Sequence, residues 1–403
     1  MAKLRHRWVS FEPRIDQVGG AKEKVTSLFC NNKHIFCGEG SGLVRVYTVA
    51  SGEYVRDLVP RDSPSSESNP GRTSCTLVAG GKEVVAAVTW SEIVTVWSTG
   101  GDMDWVASYQ YQCEGCQKKP CDCGGEASGT CGIGDIKVTP HGKIVLLTLN
   151  RSPLSATASS VLIMKKGEDG WTVDDSPMLN RCGFAMDGNV NLGCHGDYFV
   201  LWESGGNNYR LSFGSAENNF EDWSGHPHND QGLEFERAET LGIDGLLLEP
   251  PFLILVNRNP RDSEALRVYE MDTYKVLKAF GSSRGRCVNL ITNEYVVVQL
   301  QGMWGDQGDY VLIYDKKMLL DMKKTAEEVK VQRIEINRMG TLMGINRTSL
   351  VFAEYGLGWR RNQEHVLDLS VLNFWVGGKE ELVTKEDEEG DETGQAEKKA
   401  KLN

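Results

Sequence analysis

The sequence has no long apolar run and almost no helical periodicity. Nothing in it approaches the roughly 18 consecutive apolar residues of a transmembrane helix, and the basic residues 1–8 lack the apolar core of a signal peptide. Its formal net charge of −12 argues against a general affinity for the backbone of nucleic acids. We therefore expect a protein of the cytosol or the nucleus that does not bind membranes.

Catalytic motifs are absent as well. The chain has no phosphate-binding glycine loop, no G-x-S-x-G nucleophile turn and no paired-carboxylate signature. Cys194 and His195 are adjacent, and adjacent residues of a strand point to opposite sides, so they are not expected to act as a nucleophile and its base. The sequence thus predicts a protein that is not an enzyme.

A short strand-like run recurs along most of the chain. In "CGEGSGLVRVYTVASGEYVRDL", residues 37–58, a glycine turn precedes the run Val44–Tyr47, and a second turn leads into another strand. Similar four-residue runs follow at intervals of about 50 residues, which is the spacing of a repeat architecture. The seven runs end at Tyr47, Trp97, Met164, Ser212, Tyr269, Tyr314 and Leu372.

Each of these runs is preceded by a second feature, a short and continuous apolar segment. Such segments are typical of strands that are buried on both faces. Phe252–Val256 and Tyr295–Val298 are the clearest examples. The sequence therefore predicts an all-β protein built from repeated sheets around an axis, with a single helix over 317–329. The seven segments begin at Ile35, Val84, Ile144, Tyr198, Phe252, Tyr295 and Leu350.

The segment "GSGLVRVYTVASGEYVRDL" resembles the third and fourth strands of a WD-repeat blade, and "ALRVYEMDTYKVLKAF" and "DYVLIYDKKMLLDM" are similar to it. Only Tyr314-Asp315 keeps the aromatic–Asp pair of that family, and the Gly-His pair is absent from every unit. The resemblance implies one divergent, seven-bladed, WD-repeat-like β-propeller over 20–376, with four strands in each blade. Trp8–Phe11, in the N-terminal segment 1–19, is expected to complete the last blade.

Two insertions and a tail stand apart from this repeat. Residues 60–73 and 216–232 read as loops, and a metal site at His226 and His228 in the second is less favoured than a solvated loop. Residues 377–403 are highly charged, contain no aromatic residue and predict a disordered acidic C-terminal tail. The final "EKKAKLN" matches a basic nuclear-import signal, and its alternative role is to keep the protein soluble.

The strongest chemical signal is the cysteine-rich insertion 113–131. Five of the 11 cysteines fall in it, and the spacing Cys113-x-x-Cys116 allows two thiolates to reach one tetrahedral ion. A structural zinc ion, a free or redox-active thiol cluster and no special role all stay open. The candidate metal ligands, of which four would bind one zinc ion, are Cys113, Cys116, Cys121, Cys123 and Cys131.

Two classes of function remain. The WD-repeat resemblance implies a non-catalytic scaffold that binds other proteins through the loops of its faces, as a monomer within a hetero-complex. The resemblance extends to substrate-recruiting subunits of ubiquitin ligases. Residues 1–19 leave no room for F-box helices, so an adaptor is expected to dock on the propeller or on another subunit. The alternative is a propeller enzyme with convergent titratable side chains at the mouth of the central channel.

Overall fold

A computed structural model shows the positions of the strands. The residues that it describes are 5–11, 25–49, 53–60, 75–89, 92–111, 132–149, 160–175, 189–205, 208–216, 243–257, 264–271, 273, 275–281, 285–291, 294–302, 309–336, 341–345, 349–355 and 367–373. The cysteine-rich insertion, both histidines of the second loop and the charged tail lie outside these ranges. No helix in the described part of the chain is long and apolar enough to span a bilayer.

Nearly all of the described chain is β-strand. The strands are β1 (Arg5–Phe11), β2 (Val25–Cys30), β3 (His34–Glu39), β4 (Val44–Thr48), β5 (Tyr54–Leu58), β6 (Cys75–Gly80), β7 (Val84–Thr89), β8 (Ile93–Ser98), β9 (Trp105–Gln110), β10 (Gly132–Val138), β11 (Ile144–Leu149), β12 (Ser160–Gly167), β13 (Gly170–Asp175), β14 (Asn189–His195), β15 (Tyr198–Gly205), β16 (Asn208–Ser215), β17 (Ile243–Glu249), β18 (Phe252–Asn257), β19 (Glu264–Glu270), β20 (Val276–Gly281), β21 (Gly285–Ile291), β22 (Tyr295–Gly302), β23 (Asp309–Asp315), β24 (Val331–Ile336), β25 (Thr341–Ile345), β26 (Ser349–Tyr355) and β27 (Leu367–Asn373).

These strands form antiparallel sheets in which neighbours along the chain pair with each other. Sheets I, II and III contain β2–β5, β6–β9 and β10–β13, and sheet IV contains β14–β16. Sheets V and VI contain β17–β20 and β21–β24, and sheet VII has the order β25-β26-β27-β1. The first strands of successive sheets contact each other, including β25 with β2, and so close a ring.

This architecture is an all-β propeller, as the sequence predicts, but it differs in the number of complete blades. The structure has six four-stranded blades and not seven, because sheet IV has three strands in the described part of the chain. The chain that follows β16, 217–242, lies outside the described residues. The seven repeated runs all fall in third strands, and the seven apolar segments all fall in second strands.

The core lies between the sheets, which explains the continuous apolar segments. In β7, Val85 and Ala87 pack towards sheet I, whereas Ala86 and Val88 pack towards sheet III. Each second strand thus buries both of its sides against different neighbours, and each fully buried aliphatic side chain contributes about 1.5–3 kcal/mol. Apolar residues are therefore required at consecutive positions rather than at alternate ones.

The ring is closed by the two ends of the chain. Strand β1 pairs antiparallel with β27, so that Trp8 lies opposite Ser370 and Phe11 opposite Leu367. The N-terminal strand therefore takes the fourth position of sheet VII, which is where the sequence expects Trp8–Phe11. This pairing covers the edge that β27 would otherwise expose.

The predicted helix over 317–329 is wrong in its extent. The structure has a short helix, α1 (Lys316–Leu320), and a separate 3-10 turn, Ala326–Glu328. The Lys278 ammonium accounts for the break, because it donates hydrogen bonds to the carbonyl oxygens of Met318, Leu319 and Asp321 at 3.2, 2.7 and 2.7 Å. Those carbonyls would otherwise accept from the next helical turn.

Candidate interaction surface

The connections between strands sort onto two faces of the ring. Antiparallel order places the first-to-second and third-to-fourth connections at one end of every sheet, and all the others at the opposite end. At the first end, defined here as the short-connection face, typical connections are 31–33, 81–83 and 168–169. At the other end, the long-connection face, the strand ends are joined by 59–74, 111–131, 150–159, 176–188 and 356–366, among others.

Contacts between neighbouring sheets connect the same end of each sheet, which shows that the sheets have the same orientation in the ring. On the short-connection face, the His141 imidazole lies 3.4 Å from the Asp197 carboxylate, and both residues are in first-to-second turns. On the long-connection face, the Thr26 hydroxyl at the start of sheet I donates to the Cys75 carbonyl at the start of sheet II. Most of the long connections therefore leave from one side of the propeller.

Two of the insertions predicted from the sequence, the cysteine-rich insertion and 60–73, join strand ends on the long-connection face, whereas the loop with His226 and His228 starts at the end of β16 on the short-connection face. The cysteine-rich insertion connects β9, the fourth strand of sheet II, with β10 of sheet III. The loop with His226 and His228 connects β16 with β17, and 60–73 connects β5 with β6. Because these residues lie outside the described ranges, the structure shows where they are anchored and does not test their ligands.

Glu92 forms the base of the cysteine-rich insertion and was not identified from the sequence. It occupies the turn between β7 and β8 with φ +61° and donates its N–H to the Thr89 carbonyl at 2.9 Å. In sheet I the same turn position is Gly42, with φ +88° and a bond to the Glu39 carbonyl. A side chain in this left-handed conformation costs about 1–2 kcal/mol. Aligning the repeats of sheets I and II would have revealed this substitution.

Glu92 holds both ends of that insertion. Its backbone carbonyl accepts the N–H of Tyr111 at 3.0 Å, and its carboxylate accepts the N–H of Ile133 at 2.6 Å. Gly132 permits this approach, because a Cβ there would lie 2.4 Å from the carboxylate. The chain on both sides of 112–131 is thus held by hydrogen bonds to the single residue Glu92. Burial raises the pKa of Glu92 to about 7, and the bond from Ile133 opposes this shift in part.

A second polar cluster lies at the long-connection end of sheet I. Arg45 is 3% exposed, and its guanidinium lies 3.2 Å from the Glu39 carboxylate and 3.3 Å from that of Asp57. The Ser41 hydroxyl also donates to Glu39, at 3.4 Å. Arg45, in the middle of the repeated run Val44–Tyr47, is therefore a buried, paired cation. Through these ion pairs the Arg45 guanidinium joins β3, β4 and β5.

The four cysteines whose side chains are described have unreactive thiols. Cys30, Cys37 and Cys75 are buried, and desolvation raises the pKa of Cys30 and Cys75 to about 12 and that of Cys37 further. Burial also raises the pKa of Cys194 to about 12, so this thiol stays protonated. Within the described ranges, no group of three or more His, Cys, Asp and Glu side chains is placed to hold a metal ion.

The first strands face the axis of the ring, where the alternative enzyme site was expected. On β10 the Lys137 ammonium lies 3.0 Å from the Asp135 carboxylate, and both side chains are partly exposed. These two opposite charges form an ion pair with each other at the partly exposed surface of this strand.

Comparison with known proteins agrees with this fold. No protein-family profile and no curated protein sequence matches the chain. The crystal structure of the RRP9 WD40 repeats superposes with a TM-score of 0.52 at 11% identity, over 92% of this chain and 97% of that one. The structure of U3-55K superposes with a TM-score of 0.50 at 12% identity, over 92% and 98%. The protein has the fold of a divergent WD40-type β-propeller.

Proposed function

We propose that the protein is a non-catalytic scaffold that binds other proteins through its long-connection face. The observation that carries this proposal is the unequal distribution of connections, since most of the long connections join strand ends on that side, including the cysteine-rich insertion and 60–73. Binding residues are typically found on loops that a rigid framework positions. Six four-stranded sheets and one three-stranded sheet in the described part of the chain supply that framework.

In this proposal the chain is one subunit of a larger complex, located in the cytoplasm or the nucleus. Its role is to assemble other subunits or to recruit a substrate, as in a ubiquitin ligase. The WD40-type fold of the chain supports the general role, and the kind of complex is a further part of the proposal. No group of titratable side chains in the described ranges favours the alternative enzyme.

Charge reversal on each face tests this proposal. The test variants are Arg258→Glu with Arg261→Glu, and Arg360→Glu with Arg361→Glu, which lie in connections of the long-connection face. The matched controls are Lys82→Glu and Lys166→Glu, both exposed on the short-connection face. We expect the long-face variants to lose proteins that co-purify with the wild type from native cells. The melting temperature should barely change, because surface substitutions cost under about 0.5 kcal/mol.

Equal losses with the short-face controls would contradict the choice of face. Retention of every co-purifying protein by both long-face variants would also count against it. Turnover of a small molecule that is abolished by changes at the channel mouth would replace the scaffold with the enzyme.

We also propose that the cysteine-rich insertion binds one structural zinc ion through four of its five thiolates. Support comes from Glu92, which holds Tyr111 and Ile133 on the two sides of the insertion. Fixing both ends lowers the entropy that the segment would lose on closing around an ion. The competing interpretation is a redox-active thiol cluster without metal.

Elemental analysis of protein purified under reducing conditions, without added metal, distinguishes the two interpretations. We expect about one zinc per chain, with loss of zinc in Cys113→Ser/Cys116→Ser and retention in the control Cys182→Ser, which lies outside the insertion. Chelation should leave the main unfolding transition in place, because the sheets have their own core. A zinc content near zero, or one that does not change in the double variant, would rule out this site.

A further inference from the structure

The short-connection face carries one insertion whose structure is described, the connection from β23 to β24 in sheet VI. It contains α1 and the 3-10 turn Ala326–Glu328. The Asp315 carboxylate accepts the Met318 N–H at 3.0 Å and so caps the start of α1. Leu319 is fully buried in the core between sheets V and VI. The insertion is therefore a folded part of the propeller.

Two lysines fasten this insertion to sheet V. The Lys278 ammonium uses all three of its donors on carbonyl oxygens of the insertion, and desolvation lowers the pKa of Lys278. The Lys316 ammonium lies 2.8 Å from the Glu249 carboxylate of β17. These two cations are occupied in holding the insertion in place, which fixes the orientation of its outer surface.

That outer surface presents cations and apolar side chains together. Met322 is 56% exposed and Val331 is 38% exposed. None of the four lysines around them forms an ion pair among the described residues. Three acids lie in the same connection: the Glu328 carboxylate accepts hydrogen bonds from the Thr325 N–H and hydroxyl, the Asp321 carboxylate accepts the Lys323 N–H at 3.0 Å, and Glu327 is exposed. We define the lysine ridge as Lys317, Met322, Lys323, Lys324, Lys330 and Val331.

The C-terminal tail begins beside this ridge. Strand β27 ends at Asn373 in the third position of sheet VII, and β23 ends at Asp315 in the third position of sheet VI. The two sheets are neighbours in the ring, since β21 contacts β25. The tail therefore leaves on the short-connection face, one sheet away from the ridge. Packed sheets lie about 10 Å apart, whereas the chain from Asn373 to Glu386 can extend over about 40 Å.

The composition of the tail complements that of the ridge. Leu382 and Val383 are followed by six acids between 386 and 392, with Gly390 as the one other residue. The protein as a whole is acidic, so the ridge is an unusual target on its surface. Opposite charges within a Debye length attract each other, and a tethered segment is present at a high effective concentration.

We propose that the acidic segment 386–392 docks on the lysine ridge of its own chain, with Leu382 and Val383 against Met322 and Val331. Docking neutralises the ridge and covers its apolar side chains. An acidic segment of another protein would have to displace the tail before it could bind there. The tail then competes with acidic segments of other proteins for the lysine ridge. This ridge lies on the face opposite the one that we propose for partners.

Zero-length carbodiimide crosslinking of the full chain at low ionic strength tests the proposal. Crosslinked peptides are identified by mass spectrometry in an equal mixture of isotopically light and heavy protein. We expect carboxylates of 386–392 to crosslink to Lys317, Lys323, Lys324 or Lys330 within one molecule. The matched controls are Lys82 and Lys166, which are exposed on the same face in sheets II and III. In about 1 M NaCl, where the Debye length is about 3 Å, the crosslinks should disappear.

A second measurement does not depend on crosslinking. Ending the chain at Gly378 should increase acylation of the ridge lysines several-fold and leave Lys82 and Lys166 unchanged. Glu386→Gln, Asp387→Asn, Glu388→Gln and Glu389→Gln in one variant should act in the same direction. Crosslinks shared equally with the control lysines, or unchanged acylation after truncation, would overturn the proposal. Crosslinks that form only between light and heavy molecules would show that the ridge binds the tail of a second copy and not its own.

Discussion

Glu92 shows how one residue can depart from a repeat and take on a new role. The equivalent turn in sheet I uses Gly42, which adopts a positive φ without strain. In sheet II, Glu92 adopts this strained conformation, and its carboxylate reaches Ile133 in the first strand of sheet III. Strain of this kind is usually found where it contributes to function. Here it fixes the two ends of the cysteine-rich insertion.

The Glu92 carboxyl should make stability depend on pH in a defined direction. Its pKa in the folded protein is about 7, above the ordinary value of 4.5. Between these values the folded state keeps a proton that the unfolded chain releases, so the free energy of unfolding falls as pH rises from 4.5 to 7. Below this window both states are protonated and above it both are ionised, so the contribution is constant there.

Glu92→Gln should remove this contribution and flatten the pH dependence in the same window. Chemical denaturation of wild type and variant at several pH values measures the effect. Glu83→Gln, an exposed substitution in the same sheet, is the control and should leave the wild-type dependence intact. A pH dependence of Glu92→Gln that is identical to that of wild type would show that this carboxyl does not titrate in the window.

Residues such as Glu92, Arg45 and Lys278 could not be identified from the sequence as members of polar clusters. Their partners come from other strands or sheets, and Lys278 binds backbone carbonyls that have no sequence signature. Arg45 lies in a third strand, which packs on both of its sides. Its buried position and its pairing with Glu39 could not be inferred from the strand pattern. The five clustered cysteines were visible because they are close in sequence.

At the scale of single strands, second strands explain why the fold could be predicted. A strand that packs between two neighbouring sheets needs consecutive apolar residues. Because of this requirement, the segments that begin at Ile35, Val84 and Ile144 could be recognised in the sequence. First strands face the axis and carry a weaker pattern. The anchors in third strands and the segments in second strands therefore located every sheet, whereas sheet IV has three strands, and not the expected four, among the described residues.

Sheet IV contains a close packing that tests this element. Gly214 in β16 lies opposite Phe199 in β15, and a Cβ at Gly214 would lie 2.3 Å from the Phe199 ring. Gly214→Ala should reduce the free energy of unfolding by about 1–3 kcal/mol, because the fully buried ring has no space to move into. The control Gly100→Ala, which meets no atom within 4 Å, should change it by less than about 0.5 kcal/mol. Similar values for both substitutions would disprove this account.

At the scale of the whole molecule, stability depends on closure of the ring. The clusters of buried side chains span neighbouring sheets, as in the cluster that Val145, Phe199 and Leu201 form between sheets III and IV. A sheet without a neighbour would expose one side of its second and third strands. The pairing of β1 with β27 completes the sheet in which the two ends of the chain meet.

Deletion of residues 1–11 should therefore affect the whole propeller. It leaves β27 as an unpaired edge, so we expect a lower melting temperature and concentration-dependent association. Thermal unfolding and light scattering measure the two effects. Deletion of residues 394–403, at the opposite end of the chain, is the control and should change neither. A monomeric protein with an unchanged melting temperature after the first deletion would show that β1 does not contribute to closure.

The pairing of β1 with β27 also has a consequence for biosynthesis. The ribosome makes Arg5–Phe11 long before the strand with which it pairs, Leu367–Asn373. At about 5–20 residues per second, the wait between the two is roughly 20–70 s. Sheets I to VI can form in order during that time, whereas sheet VII has to wait until Leu367–Asn373 has emerged. A nascent chain that stalls before Leu367 would keep its N-terminal strand unpaired and available to chaperones.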